Sequence, residues 1–85
     1  MMNTYTYITY TFFYQNGEPW FYNMSVGIFK GSEILFHDAG ATISDSYNFQ
    51  QAHDKVLTEG FEEGLTVEGA ADGVTSVSFT KRIEG

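Results

Sequence analysis

The chain has 85 residues, enough for a single domain spanning residues 1–85 and too few to bury a second hydrophobic core. Hydrophobic residues make up 42% of it and aromatic residues 18%, which predicts a folded chain and excludes a disordered one. The chain contains no cysteine, so disulfides, thiolate metal sites and cysteine nucleophiles are excluded. The formal net charge of -7 disfavours direct binding to nucleic acid or to anionic membranes.

Targeting signals are not evident at the N-terminus. Met1 to Tyr5 lack the basic and apolar regions of a secretion signal, and no apolar run approaches the roughly 20 residues that a membrane span needs. A cysteine-free domain of this size suits a reducing compartment. We therefore expect a cytoplasmic location and no membrane partner.

The first third of the chain predicts a long β-hairpin. Residues 4–29 are rich in strand-forming Tyr, Thr, Phe, Ile and Val, with Asn16-Gly17 near the middle. A two-residue Asn-Gly turn in a regular ladder would mix apolar and polar residues on each face. A three-residue loop ending at Gly17, with that glycine as a bulge, pairs Phe12 with Trp20 and collects the even positions on one apolar face. We expect the three-residue loop.

A third strand and a helix are predicted next. Residues 33–37 read as a short strand after a tight turn, and a loop leads from it to the helix. Ser44 or Ser46 can cap the helix, with Asp45 placed to favour its positive N-terminal end. Apolar residues at intervals of three and four give the helix one apolar side, consisting of Phe49, Ala52, Val56, Leu57 and Phe61.

The helix is expected to end near Gly60 or Gly64, because glycine disfavours a helix interior. Residues 65–68 could form a short strand, and residues 74–83 alternate like a half-buried antiparallel strand. The predicted fold is α+β, an antiparallel sheet of three to five strands with one amphipathic helix packed on one face, in the order ββ(β)α(β)β. Whether residues 33–37 and 65–68 join the main sheet is left open.

Catalytic and metal sites are not indicated. His37 and His53 each stand beside an aspartate, but the two pairs are far apart and have no complementary ligand spacing. No loop matches a calcium-binding pattern. We expect no enzymatic activity, no cofactor and no metal, and a small hydrolase or metal enzyme is the least favoured alternative.

Acidic residues are concentrated in the later part of the chain. Residues 31–72 hold nine acids and one base, whereas residues 1–30 hold one of each. These carboxylates could bind a basic groove in a partner, where they would imitate the phosphates of nucleic acid; the alternative is that they only confer solubility. The candidate acidic residues are Glu33, Asp38, Asp54, Glu59, Glu62, Glu63, Glu68 and Asp72.

The odd positions of the hairpin form a second, aromatic face. A single helix cannot cover both faces of a sheet, so several aromatic residues on the second face can mark an interface. The alternatives are that this face packs in a homodimer, or that the sheet stabilises itself through cross-strand pairs. The candidate aromatic residues are Tyr5, Tyr7, Phe13, Phe21 and Phe29.

The chain is short, acidic and free of cysteine, and it opens on the segment Tyr5-Thr6-Tyr7-Ile8-Thr9-Tyr10 and an Asn16-Gly17 hairpin, followed by one helix and a closing strand. In these features it resembles the small phage-encoded anti-CRISPR proteins. The resemblance implies a non-catalytic inhibitor, encoded by a phage or mobile element, that acts in the cytoplasm of a bacterial host. Its partner would be the basic surface of a CRISPR surveillance complex or another nucleic-acid-binding machine, whose access to nucleic acid it blocks as a DNA mimic. The alternative function is a small structural or accessory domain that homodimerises through its tyrosine-rich sheet.

Overall fold

The structure is a computed structural model that describes residues 3–38, 42–43, 46–69 and 71–84. The fold is α+β, as predicted, with one short helix among mostly strands. The elements are β1 (Thr4–Gln15), β2 (Glu18–Lys30), β3 (Glu33–Asp38), β4 (Thr42–Ile43), α1 (Ser46–Thr58), β5 (Glu62–Glu68) and β6 (Val74–Glu84). Two of the residues expected to cap or flank the helix, Ser44 and Asp45, lie outside the described residues.

The main sheet has five antiparallel strands in the order β3-β2-β1-β6-β5. β1 lies at the centre and pairs with both β2 and β6 along nearly its whole length. The two-residue strand β4 pairs with β2 at Tyr22 and Asn23, beyond the end of β3. Both short strands left open by the sequence therefore join the sheet, where they form its two edges.

The hairpin turn differs from the predicted one. Asn16 and Gly17 form a two-residue turn with φ angles of 51° and 81°, and Gln15 pairs with Glu18. Asn-Gly favours this turn because both central residues must adopt positive φ, and the turn's twist matches that of the strands. The expected three-residue loop is therefore wrong, as is the pairing of Phe12 with Trp20.

A β-bulge at Trp20 makes the two-residue turn compatible with a continuous apolar face. Tyr14 pairs with Pro19, but Phe13 pairs with Phe21, so Trp20 is an extra residue without a partner on β1. One extra residue reverses the alternation of side chains in the rest of the strand. Beyond the bulge, even positions pair with even positions, so the apolar and aromatic faces stay separate despite the different loop.

The core lies between α1 and the central strands. The Phe12 ring is fully buried, and its centroid lies 5.2 Å from that of Phe49 on the helix and 5.6 Å from that of Phe79 on β6. Such edge-to-face pairs add about 0.5–1.5 kcal/mol to the burial of the rings. The buried residues are Tyr10, Phe12, Tyr22, Phe49, Ala52, Val56 and Phe79.

The helix ends close to Gly60, the earlier of its two expected ends, and so before the last residue of its apolar pattern. It ends at Thr58, so Phe61 lies in the connection to β5, where its ring centroid is 5.5 Å from that of Tyr10. Leu57, also expected on the apolar side, is 60% exposed, whereas Val56 is 1% exposed. Consecutive helical residues point about 100° apart, so both cannot face the same core. Phe61 contributes to the core from outside the helix.

Candidate interaction surfaces

The sheet divides the molecular surface into two sides. We call the face that packs against α1 the helix side and the opposite face the open side. Directly paired residues of antiparallel strands lie on the same face, so the register assigns each strand residue to a side. Phe12 pairs with Tyr22 and Val77 on the helix side, and Phe13 pairs with Phe21 on the open side.

An aromatic cluster occupies one end of the open side. The Tyr5 and Phe29 rings are stacked, with centroids 5.4 Å apart and an interplanar angle of 18°. Tyr7 meets both rings edge-on, at 5.4 Å from Tyr5 and 6.0 Å from Phe29. The Arg82 guanidinium lies 4.1 Å from the Tyr5 centroid, within the range of a cation–π contact. Three of the five aromatic candidates are thus held together in one cluster.

Gly27 makes room for this cluster. A Cβ atom at Gly27 would lie 2.6 Å from Cε2 of Phe29, so the ring position requires a residue without a side chain. The Phe29 ring covers the backbone of Gly27, and this glycine is therefore buried. The sequence reasoning missed Gly27; the available signal was a strand glycine two residues before an aromatic residue.

A second aromatic cluster lies at the other end of the open side, near the hairpin turn. Phe13 and Phe21 are stacked across the strands, with centroids 4.4 Å apart and an interplanar angle of 12°. Trp20, the bulge residue, meets Phe21 edge-on at 4.8 Å. The other two aromatic candidates therefore form a cross-strand pair.

A band of hydroxyl groups separates the two clusters. Thr11 Oγ1 lies 3.0 Å from Ser78 Oγ, and Thr9 Oγ1 lies 3.5 Å from Thr80 Oγ1. No helix or second sheet covers this side among the described residues. The open side thus carries two apolar clusters with a polar band between them, and its side chains are half-buried.

Six of the eight acidic candidates lie on the helix side. The register places two of them on β3 and two on β5, and the other two border a cavity beside the helix. They are Glu33, Asp38, Asp54, Glu59, Glu63 and Glu68. Glu62 pairs with Thr80 and lies on the open side, and Asp72 lies in the turn between β5 and β6. The structure thus brings together most of the predicted acidic residues but spreads them from one sheet edge to the other, a span of about 19 Å at normal strand spacing.

These carboxylates are exposed and form no ion pairs among the described residues. All eight residues are exposed, and within the described ranges the one ion pair joins Arg82 Nε to Glu84 Oε1 at 2.6 Å. Asp54 Oδ1 accepts a hydrogen bond from Gln50 Nε2 at 3.0 Å, which leaves its charge intact. The negative charge of the helix side is therefore available to a partner.

Two lysines interrupt this acidic surface at its centre. The helix is about 20 Å long but β1 is about 40 Å long, so part of the apolar sheet extends beyond the helix. A cavity of about 150 Å³ lies there, with Lys55 and Lys81 in its lining. Their ammonium groups lie 5.9 Å from the Tyr10 centroid and 5.8 Å from the Phe61 centroid. Positive charge therefore lies near the middle of the helix side, with carboxylates around it.

The buried Tyr22 and the half-buried Tyr14 add no charge to this surface at neutral pH. Burial raises the pKa of Tyr22, with Tyr10 acting in the same direction and Lys55 opposing it. Burial also raises the pKa of Tyr14, to which the charge of Glu63 contributes. Since an unperturbed tyrosine already has a pKa near 10, both hydroxyls remain protonated under physiological conditions.

The two histidines lie apart from each other. His53 on the helix is half-buried, with its ring centroid 5.3 Å from that of Phe12, whereas His37 is exposed on β3. In the described parts of the chain, no three His, Asp or Glu side chains are grouped so that they could hold a metal ion. None of the helices there has both the length and the apolar character needed to span a bilayer.

Comparison with known proteins does not place the chain in a family: no family model, curated protein or solved structure matches it. The geometry of the helix side and the open side is therefore the basis for a functional proposal.

Proposed function

We propose that the protein is a non-catalytic inhibitor whose helix side binds the basic surface of a bacterial nucleic-acid-binding machine, such as a CRISPR surveillance complex, and blocks its access to nucleic acid. The observation that carries this proposal is the set of six exposed carboxylates on the helix side, none of which has an ion-pair partner among the described residues. A surface that binds nucleic acid presents lysine and arginine to phosphates, and the same residues attract carboxylates.

The arrangement of charge supports a particular orientation of the partner. The carboxylates of β3 and β5 lie near opposite edges of the sheet, and Lys55 and Lys81 lie between them. The electrostatic attraction is strongest when the basic residues of a partner lie against the two edges of the sheet and away from the two central lysines. Such electrostatic complementarity speeds association and selects the partner, and it weakens as salt screens it over a Debye length of about 8–10 Å.

Charge reversal on one side of the sheet tests the proposal against a matched control. The double variant Glu59→Lys/Glu63→Lys changes the helix side, whereas Glu18→Lys/Glu62→Lys makes the same change in net charge away from it. The assay is displacement of a fluorescent target duplex from a purified CRISPR surveillance complex, followed by polarisation at several salt concentrations. We expect the helix-side variant to need at least about tenfold more protein for displacement, equivalent to about 1.4 kcal/mol, and the control less than about threefold more.

The two variants separate the possible results. An equal loss of duplex displacement in the two variants would show that binding depends only on net charge, which would contradict a binding surface on the helix side. No displacement by the unmodified protein at low salt would reject this class of partner.

A second candidate function is a structural or accessory domain that homodimerises through its open side. The observation that favours it is the pair of aromatic clusters, which are uncovered among the described residues and consist of Tyr, Phe and Trp, residue types enriched at interfaces. We expect Tyr5→Ala/Tyr7→Ala to halve the mass measured by light scattering if this dimer forms. The helix-side variant Glu59→Lys/Glu63→Lys should leave the mass unchanged. A monomeric mass for the unmodified protein at about 100 μM would exclude a stable dimer of this kind.

A further inference from the structure

The outer edge of β3 has an open backbone and exposed apolar side chains. β3 pairs with β2 on its inner edge, and no strand pairs with its outer edge within the described residues. Ile34, Leu35 and Phe36 are 62%, 49% and 52% exposed. Such an edge is a template for adding another strand through main-chain hydrogen bonds. At β5, the other edge, Gly64 and Thr66 interrupt the exposed apolar residues, so β3 offers the longer apolar run.

Carboxylates mark both ends of this edge on the same side of the sheet. Glu33 pairs with Lys30 and Asp38 pairs with Val26, which places both acids on the helix side. Residues five apart in a regular strand lie on opposite sides, but Leu35 is the extra residue of a bulge, so Glu33 and Asp38 lie on the same side. The edge therefore presents an acid at each end of an apolar stretch.

This charge pattern disfavours a second copy of the chain as the added strand. If two β3 edges met antiparallel about a two-fold axis, Glu33 would lie opposite Asp38 of the second copy, and the same like-charge pair would recur at the other end. Like charges directly opposite each other destabilise a strand pair. An extended segment with a basic residue at each end would instead form two opposite-charge pairs.

We propose that the outer edge of β3 is a strand-addition site for an extended partner segment of about five residues that carries a basic residue at each end of a short β-forming stretch, both on the same side of the strand. The inference deepens the proposed function, since it rests on a basic partner and identifies how part of that partner is bound. Main-chain hydrogen bonds supply affinity, and the two terminal charge pairs select the sequence and its register.

The first test uses a synthetic peptide, Lys-Val-Thr-Val-Lys, whose two lysines lie on one side of an extended strand, and the same peptide with glutamate at both ends as the control. We expect the lysine peptide to shift the backbone amide resonances of residues 33–38 in a ¹⁵N-labelled protein and the glutamate peptide to leave them unchanged. Shifts confined to other strands, equal shifts with both peptides, or no shifts at millimolar peptide would overturn the proposal.

The second test removes the like-charge pairs, Glu33 opposite Asp38, that disfavour pairing between the β3 edges of two copies. Glu33→Lys places a lysine opposite Asp38 of a second copy at both ends of the paired edges, so the mass measured by light scattering is expected to be twice that of the unmodified protein. Glu33→Lys/Asp38→Lys restores a like-charge pair and should return to the original mass. An unchanged mass for the single variant, with a native circular dichroism spectrum, would contradict an available β3 edge.

These results can be separated from the test of the proposed function. Peptide binding at β3 without displacement of nucleic acid from the surveillance complex would reject the proposed function alone. Displacement of nucleic acid without peptide binding or self-association would reject the strand-addition site alone.

Discussion

Replacing Phe12 with alanine is expected to remove a large part of the free energy of unfolding. The ring is 0% exposed and contacts both Phe49 of the helix and Phe79 of β6. Its loss therefore removes packing between the helix and the two central strands. Truncation of a buried phenylalanine costs about 3–5 kcal/mol. The free energy of unfolding of a chain of this length is about 4–13 kcal/mol, at about 0.05–0.15 kcal/mol per residue.

Urea unfolding followed by circular dichroism measures this loss. The matched control is Phe36→Ala, which makes the same truncation at a position that is 52% exposed on an edge strand. We expect the control to lose no more than about 1 kcal/mol. Similar losses in the two variants would mean that the core is not centred on Phe12.

Deleting Thr11 is expected to prevent folding, whereas deleting Trp20 should be tolerated. Thr11 pairs with Asn23 on one side and with Ser78 on the other. Its removal shifts the register of β1 by one residue against both neighbours, which turns half of the strand to the wrong face. Trp20 has no partner on β1, so its removal leaves Pro19 and Phe21 opposite the same residues as before, now without a bulge.

Amide spectra of the two deletion proteins distinguish these outcomes. The Trp20 deletion should give dispersed resonances and lose little more than the contact with Phe21, about 1 kcal/mol. The Thr11 deletion should give the narrow dispersion of an unfolded chain. A folded Thr11 deletion, or an unfolded Trp20 deletion, would show that the bulge is not at Trp20.

The separation of the hairpin into two faces could be predicted from the sequence, because it depends only on strand alternation. All five aromatic candidates, including Tyr5 and Phe29 at the far end, lie on the open side. The location of the irregular residue could not be predicted in the same way. A bulge at the turn or one at Trp20 gives the same separation of faces, and the difference depends on the turn geometry of Asn16-Gly17.

The acidic surface was less predictable than the aromatic one. Glu62 and Glu63 are neighbours in the sequence, but they lie on opposite sides of the sheet because Glu62 pairs with Thr80 and Glu63 with Phe79. The apolar spacing suggested that both belonged to the end of the helix, where they would have stayed close together. Only the pairing of the edge strands, each with its own register shift, decides which carboxylates share a side.

The central position of β1 has a consequence for folding during synthesis. β1 is made first, and its partner β6 comes last among the strands, so pairs such as Tyr5 with Glu84 join distant parts of the chain. At about 5–20 residues per second, the ribosome needs on the order of 3–12 seconds to make the chain between them. During that interval one edge of the most aromatic strand is unpaired. The nascent chain is then most exposed to aggregation, and a chaperone that binds extended aromatic segments would protect it at this stage.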